Sequence, residues 1–115
     1  MRNRLLVGIV VAATVVSIGA SWAASPDRKA GQHLAANCAA CHGSDGMSVD
    51  TSIPNLAGQH YVYLVQQLGA FKSGARVSPL MTELARPLSD QQIADLAAYF
   101  ASVPIEVGKP SGPKH

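Results

Sequence analysis

Only two cysteines occur in the 115 residues, Cys38 and Cys41. A framework of several disulfides is therefore excluded, and a single bridge inside one helical turn would staple almost nothing. A closed zinc site needs four ligands, and neither a second cysteine pair nor paired histidines are present. Large aromatic side chains are also scarce: Trp22, Tyr61, Tyr63, Phe71, Tyr99 and Phe100 are the whole set. A chain of this length makes at most one domain, and with so few bulky residues it needs another source of burial. No stretch alternates as a half-buried strand does, which removes the βαβ setting that a thioredoxin-like dithiol requires.

At the N-terminus, Arg2 and Arg4 precede an uncharged run from Leu5 to Ile18, and small residues follow at Ser21 and Ala23. This is the layout of an export signal cleaved after Ala23. The alternative is an uncleaved anchor that leaves the protein membrane-associated, because Leu5 to Ala24 is 20 largely apolar residues, about the length of a membrane span. Cleavage would leave 92 residues and remove two of the nine basic groups, so that seven face seven acidic ones and the formal charge falls from +2 to zero. A neutral domain excludes nucleic-acid binding of the usual electrostatic kind and has little long-range steering of its own.

The expected organisation is a leader over residues 1–23, one domain over 24–105 and a disordered Gly-, Pro- and Lys-bearing tail over 106–115. Within the domain, Ser25 as N-cap and Pro26 at the first position predict a helix to about Ala40, closed by Gly43. The segment from Gly43 to Gly58 is a loop, long enough to suggest that it wraps something. Tyr61, Leu64, Val65, Leu68 and Phe71 share one helical face, and Gly74 ends that helix. Residues 75–87 read as irregular or as a short helix. Ser89 and Gln92 form a capping box for a last helix striped by Ile93, Leu96, Ala97 and Phe100 and stopped at Pro104.

In "NCAACHGSDG" the thiols of Cys38 and Cys41 stand at i and i+3, on one face of a helical turn, and His42 follows directly. This spacing is the attachment signature of c-type haem, in which each thiol adds to a porphyrin vinyl group and the histidine lies beneath the iron. The sixth iron position then goes to Met, to His or to none. Met81 is the best candidate: it follows Pro79, 39 residues after His42, which is enough chain to reach the other haem face. Met47 is tethered too closely to His42, His33 reads as solvent-facing, His60 as the first turn of the next helix, and His115 lies in the tail.

With "CAACHGSDGMS", "PNLAGQHYVYLVQQLGAFKSGAR" and "LMTELARPLSDQQIADLAAYFAS", the chain resembles class I c-type cytochromes and is similar to the cytochrome c-four group. The resemblance implies an all-α fold of three to four helices around one covalent haem c. It implies thioethers from Cys38 and Cys41, axial ligation by His42 and Met81, and a Pro54 backbone carbonyl that accepts a hydrogen bond from the proximal imidazole. Gly31 and Tyr99 match the crossing of the first and last helices. Arg76 and Lys72 match only weakly the basic groups near the haem edge, and read equally as solvated surface charges. Members of that group usually carry two such domains, whereas this sequence has one C-x-x-C-H.

The expected function is a periplasmic monohaem carrier of single electrons, not an enzyme, between a quinol-oxidising complex and a terminal oxidase or other reductase. The alternative is the haem subunit of an exported oxidoreductase such as a flavocytochrome. A third reading, a peroxidase or gas sensor, requires Met81 to leave the iron open.

Overall fold

A computed structural model of the chain describes residues 24–106 and 108. The expected leader lies outside the described residues, as does all of the expected tail except Glu106 and Gly108. Five helices follow in order: α1 Arg28–Ala35, α2 Ala39–His42, α3 Tyr61–Ser73, α4 Pro79–Ala85 and α5 Asp90–Ser102. Among the described residues there is no strand, so the all-α expectation holds.

The two long helices form where the apolar period meets a clear end signal, Gly74 after α3 and the Ser89 box before α5. In α3, Leu64 and Phe71 are buried, Val65 and Leu68 are half-buried, and Gly74 closes the helix at φ 81°. In α5, the Ser89 hydroxyl accepts from the Gln92 N–H at 3.1 Å, and the Gln92 side chain accepts from the Ser89 N–H at 2.9 Å. This reciprocal box satisfies two of the donors that a helix start leaves unpaired. Ile93, Leu96, Ala97 and Phe100 are buried along its inner face.

The first helix differs from the sequence expectation at both ends. Its cap is Asp27, whose carboxylate accepts from the N–H groups of Lys29 and Ala30, and Pro26 precedes the helix. The helix also stops at Ala35. Residues 36–38 make tight turns through i to i−3 bonds, Asn37 N–H to Leu34 carbonyl at 3.1 Å and Cys38 N–H to Ala35 carbonyl at 2.9 Å. This tightening redirects the chain before α2 begins. The segment left open between irregular and helical is α4, capped by the Ser78 hydroxyl and started by Pro79.

Packing follows from one small residue. A Cβ on Gly31 would strike the Asp95 carbonyl and stand 3.0 Å from Tyr99 Cβ, so only glycine lets α1 lie directly on α5. The crossing that Gly31 and Tyr99 led one to expect is therefore present. Above it, α3 packs on α5 and α4 packs on α3. Ala35, Leu64, Leu96, Ala97 and Phe100 form the centre of the core, flanked by half-buried Leu34, Cys38, Leu56 and Leu68. None of the described large side chains is sealed completely.

Candidate functional site

Cys41 sits on α2 and Cys38 is its N-cap; the Cys38 carbonyl holds this single turn by accepting from the His42 N–H at 2.9 Å and the Cys41 N–H at 3.3 Å. Gly43 ends the turn at φ 85°, and any side chain there would run into the Met47 carbonyl. Glycine is required on both counts: the backbone angle and the close approach. The chain then loops outward and returns. The Gly46 carbonyl draws it back by accepting from Leu56 N–H at 2.8 Å and Ala57 N–H at 3.1 Å. Gly58 N–H donates to the Phe100 carbonyl at 2.9 Å, which ties the returning loop to the end of α5.

This return places Pro54 over the imidazole of His42. His42 is 7% exposed, and its Nδ1 lies 2.8 Å from the Pro54 carbonyl oxygen. A carbonyl can only accept, so Nδ1 carries a proton, and in the neutral ring Nε2 keeps its lone pair. Nε2 makes no hydrogen bond with the described residues. A buried histidine held by one nitrogen and free at the other is prepared as a ligand to a metal centre.

The thiols are free and half-buried. Burial pushes the Cys38 thiol above its ordinary value, and the adjacent Cys41 adds to the rise. A redox dithiol works through a stabilised thiolate, so this environment disfavours that chemistry. No group of three or more His, Cys, Asp or Glu side chains able to hold a metal ion exists among the described residues. The donor set fits a porphyrin instead: two thiols three residues apart on one turn, with a free imidazole nitrogen beside them.

The core is built largely from small side chains. Four of its buried residues are the alanines Ala35, Ala57, Ala85 and Ala97, while Tyr61, Tyr63, Leu80 and Leu84 remain 36–55% exposed. The chain alone supplies too little bulk to cover its own apolar side chains.

The structure thus brings Cys38, Cys41, His42 and Pro54 together. Met81 stands on a separate element. It is the third residue of α4 and not part of a loop, it is half-buried, and its N–H donates to the Ser78 hydroxyl at 3.3 Å. Met47, His33 and His60 are all exposed. The weak match of Lys72 and Arg76 to haem-edge groups gains nothing: Lys72 lies 3.4 Å from Asp90, and Arg76 stacks 4.6 Å over the Phe71 ring and donates to Gln67 at 2.7 Å.

Two groups of residues escaped sequence reasoning. Asp95, buried on α5, accepts from the Asp27 N–H at 2.7 Å and from Gln91 Nε2 at 2.9 Å, so it joins the start of α1 to α5. In the loop, Asn55 Oδ1 accepts from the Ser48 N–H at 2.7 Å, and Ser48 Oγ lies 3.3 Å from the Cys41 carbonyl. The one sequence signal for Asp95 is its place as a charge inside an apolar stripe. For Asn55 it is the neighbouring proline.

Comparison with known proteins agrees with this geometry. Residues 28–104 match the family model for cytochrome c. Cytochrome c4 of Pseudomonas aeruginosa is 47% identical over 106 residues, covering 92% of this chain and 51% of that relative. Cytochrome c-554(548) of Halomonas halodenitrificans is 43% identical over 79 residues, covering 66% of this chain and 95% of that relative. Among solved structures, reduced recombinant cytochrome c4 from Pseudomonas stutzeri superposes with a TM-score of 0.67 at 43% identity, over 72% of this chain and 48% of that one. The chain spans about half the length of the cytochrome c4 relatives it matches.

Proposed function

Since the chain belongs to the cytochrome c family, we propose that it is a periplasmic monohaem carrier that passes single electrons between redox protein partners of a respiratory chain. The family implies a covalently bound haem c, which supplies a one-electron Fe(II)/Fe(III) couple when bound. Cys38 and Cys41 would hold it through thioether bonds from their Sγ atoms. His42 would offer Nε2 to the iron while its Nδ1 keeps its proton and donates to the Pro54 carbonyl, which fixes the ring and strengthens its donation. Met81 would offer its thioether sulfur as the second protein ligand, which would raise the reduction potential. With His42 and Met81 both engaged, the iron would keep no position open to a substrate, as suits a carrier.

The observation that carries this reading is the state of His42: directly behind Cys41, buried, donating through Nδ1 and free at Nε2. Periplasmic location is supported by the export layout of residues 1–23. No helix among the described residues is long and apolar enough to cross a membrane.

The ligand assignment is tested on the haem-loaded protein. The oxidised form is expected to show the near-infrared sulfur-to-iron charge-transfer band at neutral pH. Met81→Ala abolishes that band, opens the reduced iron to carbon monoxide and lowers the potential by more than about 60 mV, tenfold in a one-electron equilibrium. Absence of the band in the unaltered protein, with ready carbon monoxide binding, would overturn Met81 as ligand.

A further inference from the structure

We propose that Asn55 is the residue that positions the hydrogen-bond acceptor of His42, an inference that rests on the axial role of His42 above. The Pro54 carbonyl belongs to the Pro54–Asn55 peptide, and proline has no N–H with which to anchor itself. Both residues are exposed, so burial does not hold that peptide in place. What holds it is Asn55, whose Oδ1 accepts from the Ser48 N–H at 2.7 Å.

Ser48 is itself fixed to the haem-binding turn. Its hydroxyl lies 3.3 Å from the Cys41 carbonyl and 3.1 Å from the Asp50 carbonyl, and it accepts from the Asp50 N–H at 3.1 Å. The contacts close a ring. His42 Nδ1 donates to Pro54, Pro54 is bonded to Asn55, Asn55 accepts from Ser48, Ser48 contacts Cys41, and Cys41 is bonded to His42. The next bonds along the loop, Leu56 and Ala57 N–H to the Gly46 carbonyl, start two residues beyond the proline and do not include the Pro54–Asn55 peptide. Asn55 is the side chain that ties this peptide down.

Ser52 provides a control within the same loop. Its N–H and hydroxyl both donate to Asp50 Oδ1 at 2.7 Å and hold the Asp50 carboxyl below its ordinary range, the hydroxyl more than the N–H. None of these contacts touches Asn55 or His42.

The test is proton exchange at His42 Nδ1, followed by NMR in the reduced haem-loaded protein, together with the reduction potential. Asn55→Ala is expected to speed that exchange about tenfold, the effect of losing one hydrogen bond's worth of protection. It also raises the potential, because a looser acceptor makes the imidazole a weaker donor to the oxidised iron. Asn55→Asp, which keeps an acceptor oxygen, restores slow exchange, and Ser52→Ala leaves both readouts unchanged. Unaltered exchange in a folded, haem-loaded Asn55→Ala overturns the proposal while the haem reading stands. Absence of haem from the unaltered protein overturns the haem reading instead. Should Asn55→Ala not fold, the unaltered protein decides. The Ser48 N–H and His42 Nδ1 protons are expected to exchange through one shared opening, within about twofold of each other, and clearly independent opening overturns the proposal.

Discussion

At the scale of single residues, the site divides into what is contiguous in the chain and what is not. Cys38, Cys41 and His42 fall within five residues, and their types and spacing carry the chemistry by themselves. Met81 is named by chemistry alone, and only the structure assigns it to the first turn of α4. Asp95 belongs to the second kind. Its partner Asp27 is 68 residues away, and a hydrogen bond of that reach leaves no local period to read. Its effect on stability is testable. Asp95→Ala leaves the Asp27 N–H and the Gln91 amide without their acceptor, and hydrogen bonds to an ionised group contribute about 1.5–3 kcal/mol. Urea denaturation is expected to show a loss of about 2 kcal/mol for Asp95→Ala, and under half of that for Asp95→Asn, which keeps an oxygen at the same place.

At the scale of elements, α3 and α5 were legible because an apolar stripe and a stop agree in each, and α5 adds a capping box. The early end of α1 was not. Ala36 favours continued helix, yet the chain breaks over residues 36–38, where Cys38 turns toward the core ahead of α2. Tertiary demand overrides local propensity at that point. The α1–α5 crossing sets two effects against each other in one substitution. Gly31→Ala improves helix propensity by about 1 kcal/mol, but its Cβ meets the Asp95 backbone, which cannot move without shifting α5. Overpacking of that kind costs about 1–3 kcal/mol and occasionally more, so the steric term wins. A net loss of about 2 kcal/mol is expected in denaturant titration, and a net gain would mean that the helices do not cross at Gly31.

At the scale of the whole molecule, the fold lacks bulk at its centre. An alanine-rich core and exposed Tyr61, Tyr63, Leu80 and Leu84 make an incomplete interior for so small a domain. The scarcity of aromatics already pointed to this in the sequence, although which side chains would stay uncovered depends on packing that no local pattern encodes. Cys38→Ala/Cys41→Ala, which cannot hold haem covalently, is expected to keep part of its helical circular dichroism while losing near-ultraviolet signal and a sharp thermal transition, as loosely packed states do. A cooperative, native-like transition in that variant would show that the chain completes its core unaided. The central claim, that Cys38 and Cys41 bind one haem covalently, is tested most directly by the intact mass of the native protein under denaturing conditions. The account predicts the chain plus one haem, with no free thiol left. A mass equal to the chain alone, with both thiols free, would contradict it.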